Sequence, residues 1–388
     1  MSVTNKLNQI KNAIYGKEVR GAIHDAIKQV YDDASVNHDN ANMEVKLARG
    51  THSTLSDRLD NVDEIQAQTN AQLSDIENKI INRKFKPKFG TSAQWGGWKN
   101  GGSTVTLERM KNDVDKWVEI GFEELSVTIH TSMVDNAPII SENLDLIMRG
   151  VDYAIHKGLD IKCVKLHCNE FRQAIVGEQA NVSMLSSAWL DIIATVGNLF
   201  KTKTNLFVVI NEGGPIFENE NLVDFVVNSL RLAKSLGFKA GVTPASLNGW
   251  RKLSSDIVAE LDFYSLNFYP SIGTKGLDTT VEEVEGVIYN TGILRWINEC
   301  KRLDNNKEVV ITETGCADYE VALLEPWIWT WGNGQDVAND GKIQALMMEG
   351  IFKTLASSKL DSLLWWFDLE GNESKKIVKR YIGGENIE

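Results

Sequence analysis

The chain has 388 residues, long enough for one large domain with a smaller segment attached. A formal net charge of −12 and a pI of about 5.1, with no basic patch, argue against a nucleic-acid partner. No run approaches the roughly 18 apolar residues of a membrane span, so membrane insertion is not expected.

The amino-terminal stretch is polar and helical in pattern and lacks the apolar core of a secretory signal, which points to synthesis in a cytoplasm. The four cysteines (Cys163, Cys168, Cys300, Cys316) have no CxxC spacing and sit in apolar contexts. They read as reduced, buried residues, and no metal or other cofactor is implied.

Composition breaks near residue 85. All 6 prolines lie at or beyond Pro87, all 11 tryptophans at or beyond Trp95, and before that only Tyr15 and Tyr31 are aromatic. A segment so poor in aromatics cannot build a core alone and must be extended and partnered. Leu7 to Tyr31 reads as one or two short helices with a break near Gly16. Beyond it a heptad pattern places Val45, His52, Leu59, Gln66, Leu73 and Ile80 at a, and Ala48, Leu55, Val62, Thr69 and Ile76 at d. Its largely apolar seam predicts a coiled coil, with three strands slightly favoured; the bland alternative is a lone amphipathic helix lying on the following domain. Residues 1–38 therefore form a helical segment and 39–84 a stalk.

The wording of this region adds a second line of argument. The run Asn12-Ala-Ile-Tyr-Gly-Lys-Glu-Val-Arg20-Gly-Ala-Ile-His-Asp-Ala-Ile27, followed by Ala48-Arg-Gly-Thr-His-Ser-Thr-Leu-Ser-Asp-Arg-Leu59, resembles the amino-terminal region of tail and baseplate proteins of phages that infect Gram-positive bacteria. The resemblance covers roughly residues 8–80 and implies a virion protein. Residues 1–38 would attach it to tail or baseplate partners, and the stalk would make it a homotrimer.

From Phe85 the chain alternates apolar strand-like runs with amphipathic helical stretches, the signature of βα units. Eight strands are predicted, at Lys86–Phe89, Glu124–His130, Asp160–His167, Leu206–Asn211, Lys239–Thr243, Asp262–Phe268, Glu308–Thr312 and Ser362–Phe367. Helices are predicted between them at Leu107–Ile120, Glu142–His156, Ser187–Phe200, Leu222–Leu236, Ser254–Ala259, Val281–Cys300 and Asp340–Ala356. The expected fold is α/β, a (β/α)8 TIM barrel over 85–371 preceded by a helical coiled-coil segment. A doubly wound open sheet is the alternative, weakened by the absence of a phosphate-binding glycine loop. Residues 372–388 read as a polar tail, short for an eighth helix.

Two strings single out the chemistry. Val-Val-Ile-Asn211-Glu212 ends the fourth strand and Val-Val-Ile-Thr312-Glu313 ends the seventh, each followed by glycine. A TIM barrel carries its chemistry at the carboxyl ends of its strands. A proton donor and a carboxylate facing one sugar-sized gap there would suit glycoside hydrolysis. Alone, each string could be an ordinary turn, since Asn and Gly are turn formers.

The placement of the two glutamates, with Asn267-Phe-Tyr269, Thr312-Glu313-Thr-Gly315 and Trp365-Trp366-Phe, is similar to the clan-A glycoside hydrolases, retaining (β/α)8 enzymes. The resemblance spans roughly Phe85–Gly371. It implies Glu212 as general acid/base, Glu313 as nucleophile, and Asn211 as hydrogen-bonding the sugar 2-hydroxyl. It further implies that Tyr269 orients the nucleophile, that Trp366 floors the cleaved sugar, and that His167 occupies a position where the clan often has histidine. Strand two ends in Ile129-His130-Thr131, without the arginine that many members place there.

Asn267, His130 and Glu170 are expected along the cleft, with structural roles as the alternative. Trp95 and Trp98 after strand one, and Trp327, Trp329 and Trp331 after strand seven, could offer aromatic faces to sugar rings. The sequence thus predicts a phage tail-associated retaining glycosidase acting on a host cell-surface polysaccharide. A glycan-binding protein on the same barrel that no longer cuts is the runner-up. A free bacterial glycosidase with a helical oligomerisation arm is a third reading.

Overall fold

A computed structural model describes residues 16–36, 65–66, 68, 85–96, 104–177, 182–273, 278–328, 340–366, 368–369 and 371–383. The chain divides into two compact units, Met1–Asn82 and Arg83–Glu388. In the first unit Gly16–Val36 forms one helix of 21 residues, beginning at the glycine where the sequence reading expected a break. The stalk 39–84 lies outside the described residues apart from Ile65, Gln66 and Gln68, so the coiled coil and its strand number stay expectations from sequence.

The second unit is a (β/α)8 barrel. Its strands are β1 (Lys88–Ala93), β2 (Glu124–Val134), β4 (Asp160–His167), β5 (Leu206–Asn211), β6 (Lys239–Thr243), β7 (Tyr264–Phe268), β8 (Val309–Thr314) and β9 (Ser362–Trp365), with β3 (Ala137–Ile140) folded back on β2 as an antiparallel arm. Parallel pairing runs β6-β5-β4-β2-β1-β9-β8-β7. The two ends of that order meet through main-chain bonds, Asp262 N to Ala240 O at 2.9 Å and Asn267 N to Pro244 O at 3.0 Å. Thr243 Oγ1 and Ser265 Oγ, 2.8 Å apart, add a side-chain tie across the same seam.

Strands β5 and β8 are buried along their whole length, because one face packs inside the barrel and the other against helices. The apolar core accordingly forms two clusters. Cys163, Leu206, Val208, Phe263, Val310 and Leu364 form the smaller, and residues of strands and helices together form the larger.

The outer layer follows local signals. Thr106 Oγ1 accepts the Arg109 N–H at the start of helix Leu107–Ile120, and Gly121, at φ +101°, ends it. Asn143 caps the next helix, Leu144–His156, its side chain accepting the Leu146 N–H. The predicted helix Val281–Cys300 is two helices, Val281–Asn290 and Ile293–Leu303, parted at Gly292 with φ +86°.

Helix Val182–Phe200 starts earlier than the predicted Ser187, and is long and apolar enough by length and composition to span a bilayer, a run the sequence reading did not register. It sits on the barrel, with Trp189 Nε1 donating to Val209 O at 3.2 Å. The polar carboxyl terminus also forms helix, Gly371–Val378 with a further turn to Gly383, and buries Val378 and Tyr381. Phe85 N donates to Tyr381 O at 3.1 Å, which ties the two ends of this unit together.

Candidate active site

The carboxyl ends of the strands are built with irregular register. Pairing shifts at Lys165/His167, Val208/Ile210, Leu266/Asn267 and Ile311/Thr314, each next to a polar residue of the site. Such shifts at a barrel rim re-aim side chains that a regular pleat would point elsewhere. Glu212 itself has φ +61°, a left-handed conformation that costs a residue with a side chain roughly 1–2 kcal/mol. Its backbone is pinned on both sides: its N–H donates to Thr243 O at 2.7 Å, and its carbonyl accepts from Arg172 Nη1 at 2.9 Å.

The two glutamates face the same cleft. It has a volume of about 540 Å³, and its walls include Glu212, Glu313, His130, His167, Tyr269 and Trp366. Glu313, only 5% exposed, receives donors on both oxygens. Lys165 Nζ lies 2.6 Å and Asn211 Nδ2 3.3 Å from Oε1, while Tyr269 Oη donates to Oε2 at 3.1 Å. Glu212 Oε1 accepts from Asn267 Nδ2 at 2.9 Å, and Asn267 Nδ2 also lies 3.4 Å from Asn211 Oδ1. Two hydrogen-bonded amides thus connect the carboxyl groups.

Burial, and next the charge of Glu313, push the Glu212 carboxyl above the usual range, against the weaker pull of Asn267, Arg172 and Lys165. Burial and the two carboxylates raise the Tyr269 phenol well above its ordinary value, so it stays a hydrogen-bond donor. His167 is held well below the usual imidazole value, by burial first and then by His130, Arg172 and Lys165. The arrangement sets a carboxyl group whose protonated form is favoured by burial beside one that accepts from Lys165, Asn211 and Tyr269. Tyr269→Phe, which removes one of those donors without opening a cavity, is expected to lower kcat about 10–100-fold with KM little changed.

The structure redistributes the other sequence-predicted residues. Asn211 and Asn267 are buried behind the glutamates and are not part of the cleft wall, so their amides act on the carboxylates. Trp366 lines the cleft and stands edge-on to Tyr269, ring centres 6.2 Å apart. His130 lines the cleft with Nδ1 2.8 Å from Glu142 Oε1, and its ring is 5.1 Å from that of His167.

Glu170 is spent elsewhere, accepting the Met133 N–H at 2.8 Å in the β2–β3 arm. Trp95 belongs to the core, contrary to expectation. It is 3% exposed and stacks on Trp117 at 5.9 Å, filling the space that Gly150, lacking a side chain, leaves open. Trp98, Trp329 and Trp331 lie outside the described residues.

Sequence reasoning passed over Gln94, Arg172 and Ser246 on the wall, and gave Trp327 no particular weight among its neighbours. The Trp327 indole is half exposed at the cleft, where an apolar ring has no core to fill.

Solved structures with the same architecture include a GH113 β-1,4-mannanase, at 15% identity and a TM-score of 0.53 over 77% of this chain and 98% of the other. The GH113 β-mannanase AaManA of Alicyclobacillus acidocaldarius, solved with ManMIm, matches at 12% identity and a TM-score of 0.54 over 77% and 98%. Endoglucanase Cel5A of Thermotoga maritima matches at 12% identity and a TM-score of 0.51 over 78% and 99%. The barrel is similar to those of polysaccharide-cleaving enzymes. At such identities the likeness is one of fold. No protein-family model matches the chain, and no curated protein matches it.

Proposed function

We propose that the barrel is a retaining glycoside hydrolase in which Glu313 is the nucleophile and Glu212 the acid/base. One observation carries this reading: Glu212, with its proton affinity raised, shares a cleft with Glu313, whose two oxygens accept from Lys165, Asn211 and Tyr269. In the first step a Glu313 oxygen bonds to the anomeric carbon as the glycosidic C–O bond breaks. Glu212 gives its proton to the departing oxygen. In the second step Glu212, now a carboxylate, takes a proton from water as that water attacks the anomeric carbon. The ester bond to Glu313 breaks, and both glutamates return to their starting states. Trp366 and Trp327 supply ring faces for sugar, and Tyr269 and Lys165 hold the nucleophile.

The whole chain, on this reading, is a phage tail protein that acts on a host cell-surface polysaccharide to help recognition or entry. Residues 1–38 attach to tail or baseplate partners and 39–84 form a trimeric stalk. The wording of residues 12–27 and 48–59 and the heptads from Val45 to Ile80 support that half. The test is reducing-end release from Gram-positive cell-wall polysaccharide, with β-1,4-mannan as second substrate, by wild type, Glu212→Gln and Glu313→Gln. Release by wild type alone is expected. No release from either substrate by wild type overturns the hydrolase reading.

Because Glu212 must carry a proton to begin the reaction, kcat/KM should fall as pH rises through its ionisation. That alkaline limb is expected above the ordinary carboxylate range, since burial and Glu313 both favour the protonated form. A pH–rate profile measures it directly.

A further inference from the structure

Lys165 is the largest charged side chain sealed inside the barrel, with no solvent exposure. It sits on β4, two residues before His167, and is not part of the cleft wall. Its ammonium has three protons and meets three acceptors: Glu313 Oε1 at 2.6 Å, Ser92 Oγ at 2.9 Å and Thr312 O at 3.3 Å. A compact ammonium satisfied on every side cannot turn away, so its charge is fixed beneath one oxygen of Glu313. β2 brings no lysine or arginine to this place: its cleft residue His130 has Nδ1 2.8 Å from Glu142 Oε1.

We propose that Lys165 is a positioning residue of the hydrolytic reaction, the permanent counter-charge that orients Glu313 and holds it as a carboxylate for attack. The inference rests on the hydrolase reading above. Lys165 never reaches substrate; it acts through Glu313 alone.

Its charge acts differently on the two halves of the cycle. Glu313 is an anion in the free enzyme and uncharged in the ester, so the buried ammonium favours the anion. It thereby makes Glu313 a better leaving group when water cleaves the ester. The other groups facing Glu313 do not substitute for this charge. Tyr269 and Asn211 are neutral donors, Glu212 brings no positive charge, and Cys163 is a neutral thiol, pushed up to about 12 by burial. Arg172 is committed to the Glu212 carbonyl and Asn169 Oδ1.

The test compares wild type, Lys165→Met and Lys165→Arg on the wall polysaccharide and β-1,4-mannan, with full pH profiles of kcat and kcat/KM. In Lys165→Met, kcat is expected to fall about 100-fold with KM within about twofold. The acidic limb of kcat/KM should move up by about one pH unit or more, because the nucleophile has lost its cation. Lys165→Arg, which keeps the charge, should restore most of that limb. If Lys165→Met fails to fold, Lys165→Gln, which lacks the charge and keeps an N–H donor, carries the same comparison.

An active wild type whose uncharged variant keeps the acidic limb in place overturns the inference and leaves the hydrolase reading standing. A wild type inert on both glycans overturns both.

Discussion

Glu313→Gln is expected to cost at least about 10⁴-fold in kcat, because an amide cannot form the glycosyl ester and no other side chain of the cleft stands in its place. Glutamine keeps the shape of the side chain but leaves the buried Lys165 ammonium without its anion, so a lower melting temperature is expected beside the chemical loss. Glu212→Gln is expected to lose about 10²–10⁴-fold, the usual worth of a positioned proton donor. The size of that loss should depend on the leaving group: an aryl glycoside whose phenol leaves without protonation should suffer least. Steady-state kinetics on the polysaccharide and on an activated aryl glycoside separate the two roles. Azide adds a second separation. It should rescue Glu313→Ala with an inverted glycosyl azide and Glu212→Ala with a retained one. Equal activity of wild type and both variants would remove the assignment.

The second large effect concerns the frame. Gly90 lies in β1 between β2 and β9, paired with Glu124 on one side and Leu364 on the other. A Cβ at Gly90 would stand 2.1 Å from the Glu124 carbonyl oxygen and 2.6 Å from its carbon, both backbone atoms of a barrel strand. Neither can rotate away, so Gly90→Ala must push two paired strands apart. The expected cost is about 3 kcal/mol or more, at the upper end of overpacking, read as a fall in the denaturant midpoint. Gly286, inside helix Val281–Asn290, is the control. A Cβ there meets nothing within 4 Å, and Gly286→Ala should raise stability by about 0.5–1 kcal/mol. Similar losses at both positions would show that Gly90 is not held by close approach.

The fold was largely legible because each barrel strand writes its own signal. β4, β5 and β6 run over the residues read from sequence, since buried parallel strands are continuous β-branched runs with polar ends. The β3 arm was missed although a signal was present. Asp135 and Asn136 have φ +49° and +61°, the two-residue turn of a hairpin, and Pro138 hid the short edge strand that follows. The eighth helix is short, and its buried face is only a few residues deep, leaving a composition that reads as tail.

In the site, the strand ends that carry Glu212 and Glu313 were legible; the direction of their neighbours was not. Asn211 and Asn267 turn inward because register shifts beside them break the pleat, and such shifts leave no mark in the sequence. Lys165 reads as an ordinary polar strand residue, since its partner is 148 residues away in the chain. Trp95 was misread because a tryptophan after a strand looks the same whether it faces sugar or a neighbouring helix.

The stereochemistry of the first product is the most direct measurement of the two-glutamate account. Proton NMR of sugar released from the wall polysaccharide or from β-1,4-mannan, followed from the earliest time points, reports the anomer before it equilibrates. Double displacement at Glu313 predicts that the new reducing end appears with the configuration of the bond that was cut. Initial release of the opposite anomer would mean that water attacks directly and that Glu313 never bonds to the sugar.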